Sequence, residues 1–188
     1  MPHKFQSLKT ILDKNKFNIV IERLANQLIE NHYTFDQTVL IGIQPRGVFL
    51  ADRIVSYIEN ILQIQLQYGK LDITFYRDDY HTSKNVHLPD ITNIEFSIEN
   101  KKVVLIDDVL FTGRTIRSAM EAIIDFGRPS KVELLTLIDR RFSRQLPIQA
   151  DYIGLTIDSI LSQKVKVLWA EHDKKDEVIL LDTENDKN

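Results

Sequence analysis

The sequence predicts an α/β protein, a central parallel sheet flanked by helices. Short apolar runs alternate with longer stretches of helical spacing, the pattern of a wound parallel sheet. The string Val103-Val-Leu-Ile-Asp-Asp-Val-Leu-Phe-Thr-Gly-Arg-Thr115 reads as a buried strand that ends in two acids, then a small-residue turn, then a helix start. Three predicted strand ends carry chemically useful side chains, as expected where ligands collect at the carboxyl ends of parallel strands.

Taken in order, Met1 to Lys16 is polar and mixed in charge, without the apolar stretch of a signal peptide. Ile21, Leu24, Ala25, Leu28 and Ile29 recur at helical intervals, which predicts a helix over 18–31 with Asn18 as N-cap. Thr38–Ile43 reads as a short buried strand running into Gly42-Ile-Gln-Pro-Arg-Gly47. A second helix follows, with Ala51, Ile54, Val55, Ile58 and Leu62 on one stripe. Leu71, Ile73 and Phe75 alternate with polar residues, as in a strand. Tyr80–Asn93 is polar with few apolar anchors and predicts a long loop. After the central strand, Ile116, Met120, Ile123 and Ile124 mark the next helix, and Val132–Ile138 a further strand with Asp139 at its tip. From Leu146 onward three short strands, Tyr152–Gly154, Val165–Trp169 and Val178–Leu181, predict an appended lobe, and 182–188 a frayed tail. One domain over 1–181 results.

The bulk numbers agree with this reading and exclude several classes. A chain of 188 residues buries roughly 70% of its unfolded surface. With 43% hydrophobic and 27% charged residues, the composition is that of a globular protein. The absence of cysteine rules out disulfides and thiolate metal sites. No apolar run approaches the ~20 residues of a membrane helix, so a cytoplasmic location without membrane contact is expected. A net charge of −3 gives no general attraction to nucleic acid.

The central string states its own chemistry. Thr112, Gly113, Arg114 and Thr115 offer backbone N–H groups at a helix start, with two hydroxyls beside them, which suits a phosphate monoester. Asp107 and Asp108 repel that phosphate: like charges about 4 Å apart cost roughly 4 kcal/mol at an effective dielectric of 20. Carboxylates do accept from the hydroxyls of a diol, and they partner hydrated Mg²⁺. Phosphate, diol and magnesium together describe a phosphorylated ribose. An Asp at such a junction also serves elsewhere as a plain helix cap, but the whole string would then be coincidence. No G-x-G-x-x-G follows any strand, which disfavours a dinucleotide site.

The same string resembles the phosphoribosyl-pyrophosphate (PRPP) signature of type I phosphoribosyltransferases. Over most of the chain the similarity is to the PyrR family, pyrimidine operon attenuation regulators that are also uracil phosphoribosyltransferases. It extends through Ile41–Ala51, Leu71–Asp79, Phe126–Ser130 and Leu146–Gly154; Tyr76-Arg-Asp-Asp79 and Leu146-Pro-Ile148 select this branch. The resemblance implies that fold, with a small hood mainly within 140–181 and a flexible lid over about 76–95.

For individual residues it implies that Asp107 and Asp108 hold the ribose hydroxyls and Mg²⁺. Phe111, Thr112, Gly113, Arg114 and Thr115 would cradle the 5′-phosphate, with Val109 and Leu110 also part of the PRPP site. Gln44, Pro45, Arg46 and Gly47 would form the pyrophosphate loop, and Tyr76, Arg77, Asp78 and Asp79 would begin the lid. Asp139, Arg140 and Ile157 would lie at the base. The implied reaction joins uracil to PRPP, giving UMP and diphosphate, with Arg46 and Arg77 stabilising the leaving group; Arg77 paired to Asp78 or Asp79 on the surface is the plainer alternative. A homo-oligomer, dimer or larger, and pyrimidine leader mRNA are the implied partners.

Several positions refine the expectation. Purine-specific relatives place an acid just before the Thr-Gly; Phe111 stands there and exchanges no proton, which favours a pyrimidine. Related loops carry a cis peptide near the pyrophosphate site, and Gln44–Pro45 makes one cheap, roughly 0.5–1 kcal/mol against 3–4 for other residues. Asp139-Arg-Arg-Phe-Ser-Arg-Gln145 and Leu155–Ile160 depart from the family's pattern at the base, which leaves a phosphoribosyltransferase for another base as an alternative; a UMP-responsive RNA-binding regulator of pyrimidine genes with weak or no catalysis is another. Glu22 opposes an RNA contact beside Arg23. Arg140, Arg141 and Arg144 read as a basic patch or, more simply, a solvated loop; the five histidines read as surface residues and Trp169 as packing.

Overall fold

The computed structural model describes residues 6–77, 91–160 and 163–182. The strands are β1 (Gln6–Leu12), β2 (Thr38–Ile43), β3 (Tyr68–Leu71), β4 (Lys102–Leu110), β5 (Lys131–Arg141), β6 (Tyr152–Asp158), β7 (Gln163–Leu168) and β8 (Glu177–Asp182); the helices are α1 (Lys14–His32), α2 (Gly47–Leu62), α3 (Arg114–Ile123) and the single turn α4 (Ala170–Asp173). Five strands form a parallel sheet in the order β3-β2-β4-β5-β6, and three form an antiparallel sheet in the order β1-β8-β7.

Strand β4 lies at the centre because its residues are apolar on both sides. Val104 and Ile106 pack toward α1 and α2, while Val103 and Leu105 pack toward α3. A strand buried on both faces reads as a continuous apolar run, not an alternating one, which is why Val103–Ile106 was legible.

Local sequence effects move several boundaries. Helix α1 starts four residues earlier than the periodicity indicates, because Asp13, not Asn18, caps it: its side chain accepts from Lys16 N at 3.0 Å. The Leu71-Ile73-Phe75 alternation is not a strand. Asp72 accepts from Thr74 N and Oγ1, turning the chain into a 3-10 helix over Thr74–Tyr76 that leaves Phe75 exposed. On α3 the buried stripe is Ile116, Ala119, Ala122 and Ile123, so Met120 and Ile124 face outward.

The appended lobe also differs from the expectation. Tyr152–Asp158 is the edge strand of the main sheet, paired with β5, and the small sheet is completed by the N-terminal β1. Trp169, fully buried, fastens that small sheet to the helical layer: its ring meets Phe17 edge-to-face at 5.1 Å and lies under the Arg53 guanidinium at 5.1 Å. Arg53 in turn binds Glu171 at 2.8 Å and Asp176 at 2.7 Å.

His32 is a further correction, for it is buried rather than on the surface. It closes the end of the sheet remote from the tips of β2, β4 and β5, contacting Glu133 at 3.0 Å, Tyr152 Oη at 3.2 Å and Thr38 Oγ1 at 3.0 Å. Burial holds its pKa below the ordinary 6.5, with Glu133 opposing and Lys102 and Lys131 reinforcing. A histidine with a depressed folded pKa stabilises the fold above its unfolded pKa, and that stability is lost as pH falls and the unfolded chain takes up the proton first. Between about pH 7 and about pH 5, urea midpoints should therefore fall further for the wild type than for His32→Gln; an equal decline would remove His32 as a source of the acid sensitivity.

Candidate active site

The carboxyl ends of β2, β4 and β5 converge on one edge of the sheet. At β2 the chain turns through Gln44–Gly47, where the Gln44–Pro45 bond is cis as expected. Gly47 opens α2 and must be glycine: a Cβ there would sit 2.4 Å from the Ile106 carbonyl oxygen and 3.0 Å from Asp107 Cα. This absence of a side chain lets the Gln44–Gly47 loop lie directly on the two acids of β4.

Asp107 and Asp108 are both buried. Burial pushes the Asp107 carboxyl up to about 8, the Asp108 charge pushes the same way, and the Asp108 N–H and Arg77 oppose. The Asp108 N–H donates to Asp107 Oδ1 at 2.9 Å. Asp108 is also raised by burial, with Arg46 opposing at 3.3 Å. The buried indole N–H of Trp169 makes no hydrogen bond among the described residues, yet it faces Asp108 closely enough to lower its pKa as well. Two adjacent carboxyls in this setting do not both ionise easily without a cation or a set of donors beside them.

Beyond the acids, Val109 and Leu110 carry β4 into the turn. Gly113, at φ 92°, begins α3 in a conformation that side chains disfavour. A cavity of about 240 Å³ sits over this turn, lined by Asp107, Val109–Ile116 and Arg77. Asp107, the turn and Arg77 thus share one space, with Asp108 outside its lining. Arg46 lies at the other side of Asp108, shared with Asp173 at 3.3 Å and the Val167 carbonyl. This tie between the Gln44–Gly47 loop and the small sheet is a site feature the sequence did not reveal, since Asp173 lies in an unremarkable charged stretch.

The expected lid is framed at its start and its return. Tyr76 donates to Asp125, and its carbonyl accepts from Ser118 Oγ at 3.0 Å, fixing it to α3. Ile91 is held by Gln44 Nε2 at 2.8 Å. Asp78 and Asp79, with residues 80–90 of the expected loop, lie outside the described residues.

Of the basic group, Arg140 and Arg144 form neither a surface patch nor a solvated loop. Arg140 is buried over the Phe111 ring, 4.0 Å from its centroid, and donates to Ser159 Oγ at 2.8 Å and to the Ile160 and Gln163 carbonyls. Arg144 points inward to Asp139 and backbone carbonyls; Arg141 alone is exposed, paired with Asp158 at 2.8 Å. Ile157 is half-buried on β6, two residues from Ser159. Arg23 stays exposed while donating to the Ile153 and Gly154 carbonyls of β6.

A family model described as the phosphoribosyl transferase domain matches residues 7–174. The chain is 44% identical to the Bifunctional protein PyrR of Desulfosudis oleivorans, over 90% of this chain and 94% of that one, and 44% identical to that of Haemophilus ducreyi, over 94% and 98%. The chain belongs to the phosphoribosyl transferase domain family, in its PyrR branch. Solved hypoxanthine phosphoribosyltransferases from Staphylococcus aureus (TM-score 0.69, 22% identity, covering 97% of this chain and 95% of that one) and Trypanosoma cruzi (TM-score 0.70, 15% identity, covering 95% and 98%) share its fold. At that identity the likeness is one of architecture and says nothing of the base.

The Asp107 shift fixes the sign of a stability effect. Its folded pKa lies above the ordinary 3.8, so the unfolded chain ionises first and the folded state loses stability as pH rises from about 4 through about 8. Asp107→Asn should therefore melt higher than the wild type at about pH 8, by about 2–4 °C for each kcal/mol relieved, and show no advantage near pH 4. Melting at or below the wild type at the alkaline end would contradict the buried-charge account.

Proposed function

We propose that this phosphoribosyltransferase transfers the 5-phosphoribosyl group of PRPP to uracil, giving UMP and diphosphate. The observation that carries the proposal is the single cavity shared by Asp107, the Phe111–Ile116 turn and Arg77. In this reading the turn residues Phe111–Thr115 bind the 5′-phosphate through N–H groups and hydroxyls, and Asp107 and Asp108 accept from the ribose hydroxyls. Gln44, Pro45, Arg46 and Gly47 receive the pyrophosphate.

Uracil N1 attacks C1′ as the bond to the pyrophosphate oxygen breaks, and the N1 proton passes to the departing diphosphate or to solvent. The protein's contribution is alignment and charge stabilisation. Arg77 already lies in the cavity wall, whereas Arg46 is held by Asp108 and Asp173 and must exchange those partners for the pyrophosphate. The lid beginning at Tyr76 excludes the water that would otherwise compete at C1′.

Magnesium fits this site as a shared ion. Among the described residues no group of three or more acidic, His or Cys side chains converges to hold a metal, so Asp107 and Asp108 would supply two oxygens and PRPP and water the rest. When bound, the ion neutralises the leaving diphosphate.

At the base, Phe111 presents an apolar ring backed by Arg140, which suits a pyrimidine face and offers no acid for a purine ring. Asp139, Arg140 and Ile157 frame that end, with Arg140 acting largely through Phe111 because its Nε and Nη2 are bound within the chain. Incubating the protein with PRPP, Mg²⁺ and a panel of bases should yield nucleotide with uracil; product with purines alone would refute the assignment.

The relatives' name, Bifunctional, supports a second role, binding of pyrimidine leader RNA under control of the nucleotide held in the same pocket. Arg140 and Arg144 are committed inside the chain, so this RNA surface draws on other residues, exposed Arg23 among the candidates. Exposed Phe75, Met120 and Ile124, on neighbouring elements, support assembly as a homodimer or larger. RNA affinity should fall steeply with added salt if phosphate contacts carry it; no binding to a pyrimidine leader at low salt would remove the regulatory role.

A further inference from the structure

The segment after β5 is bound to the back of the turn that follows β4, and most of that contact comes from one side chain. Arg144 reaches the carbonyls of Leu110 at 3.2 Å and of Phe111 through Nη1, that of Ile148 at 2.9 Å through Nε, and Asp139 through Nη2. Beside it, the N–H groups of Gln145 and Leu146 donate to the Thr112 carbonyl at 3.0 and 3.2 Å. Leu146 and Ile148 pack directly under Gly113, where a Cβ would lie 3.2 Å from Ile148 Cδ1 and 3.4 Å from Leu146 Cβ. The carbonyls of three consecutive residues, 110 to 112, are thus all held from the same segment.

A trans peptide is planar, with its carbonyl and the next N–H pointing in opposite directions. Fixing the Phe111 and Thr112 carbonyls from behind therefore fixes the N–H groups of Thr112 and Gly113 on the other side, and Thr112 and Gly113 line the cavity. We infer that Arg144 is a positioning residue for the phosphate turn. It never meets the ligand, but it orients the amides that do. The inference rests on the reading of this turn as the 5′-phosphate site.

The arrangement requires arginine. The guanidinium offers five N–H donors in a rigid fork, and here they span carbonyls on β4, β5 and the 146–148 segment together with a carboxylate. A lysine has the charge but cannot span them. Asp139 completes the anchor: only slightly exposed, it balances the arginine charge beneath an anion site, so Arg144 serves the turn through geometry more than through attraction. The arrangement also accounts for the Leu146-Pro-Ile148 string, whose apolar side chains are the floor on which the Gly113 peptide rests.

Two ligands separate positioning from general damage. Ribose 5-phosphate tests the phosphate turn, and inorganic pyrophosphate tests the Gln44–Gly47 loop, which Arg144 does not touch. In Arg144→Lys the Kd for ribose 5-phosphate should rise about tenfold or more, while the Kd for pyrophosphate changes by less than about twofold. Unchanged ribose 5-phosphate affinity, or an equal loss for both ligands, overturns the inference. Should Arg144→Lys fail to fold, Asp139→Asn asks the same question by loosening the anchor: a selective loss of ribose 5-phosphate supports the inference and unchanged affinity overturns it. If the wild type binds pyrophosphate but not ribose 5-phosphate, the reading of the turn itself is wrong.

Discussion

Two adjacent carboxyls buried at the end of the central strand are the constraint around which this molecule is arranged. Asp107 and Asp108 are costly to ionise together, and the fold places compensation on several sides of them: Arg46 from the start of α2, Arg77 from the edge of the cavity, the Asp108 amide from within, and the Trp169 indole from the small sheet. Each comes from a different element, so the site exists only when the parallel sheet, the first crossover helix and the small sheet are assembled. The pair remains short of positive charge and donors, both of which a phosphorylated sugar with its cation would supply in the proposed function.

The turn beside the acids solves the opposite problem. In the proposed function it presents N–H groups to an anion while its own carbonyls are kept away from it. Carbonyls 110 to 112 are taken up by Arg144 and by the backbone of Gln145 and Leu146. Gly113 supplies the unusual φ at the helix start, and Gly47 permits the neighbouring loop to touch the Asp107 backbone. Donor-rich and acceptor-rich regions are thereby held a few residues apart in one cavity. Such a site suits a ligand that is anionic at its ends and hydroxylated between them.

Much of this was legible from residue order because the central string is local. The buried strand, the acids, the turn and the helix start are contiguous, and each announces itself by side-chain type. What escaped depends on contacts distant in sequence. The pairing of β1 with β8 escaped because Gln6–Leu12 is short and largely polar, so nothing in it marks a strand until its partner is present. Tyr152–Asp158 is half-buried at the edge of the main sheet and gives no stronger signal than the strands of the lobe. His32 looked like a surface residue because its partners, Glu133 and Tyr152, lie on strands about a hundred residues away. Arg140 and Arg144 looked like a solvated basic loop for the same reason: composition suggests exposure, while the carbonyls they bind are visible only in three dimensions.

The central claim is that the end of β4 grips an activated sugar, acids on the ring and turn on its phosphate. Soaking crystals with PRPP and Mg²⁺ tests it most directly. The expected density has the 5′-phosphate against the Thr112–Thr115 amides and the ribose hydroxyls within hydrogen-bond reach of Asp107 and Asp108. PRPP bound elsewhere, with that turn empty, would contradict the account.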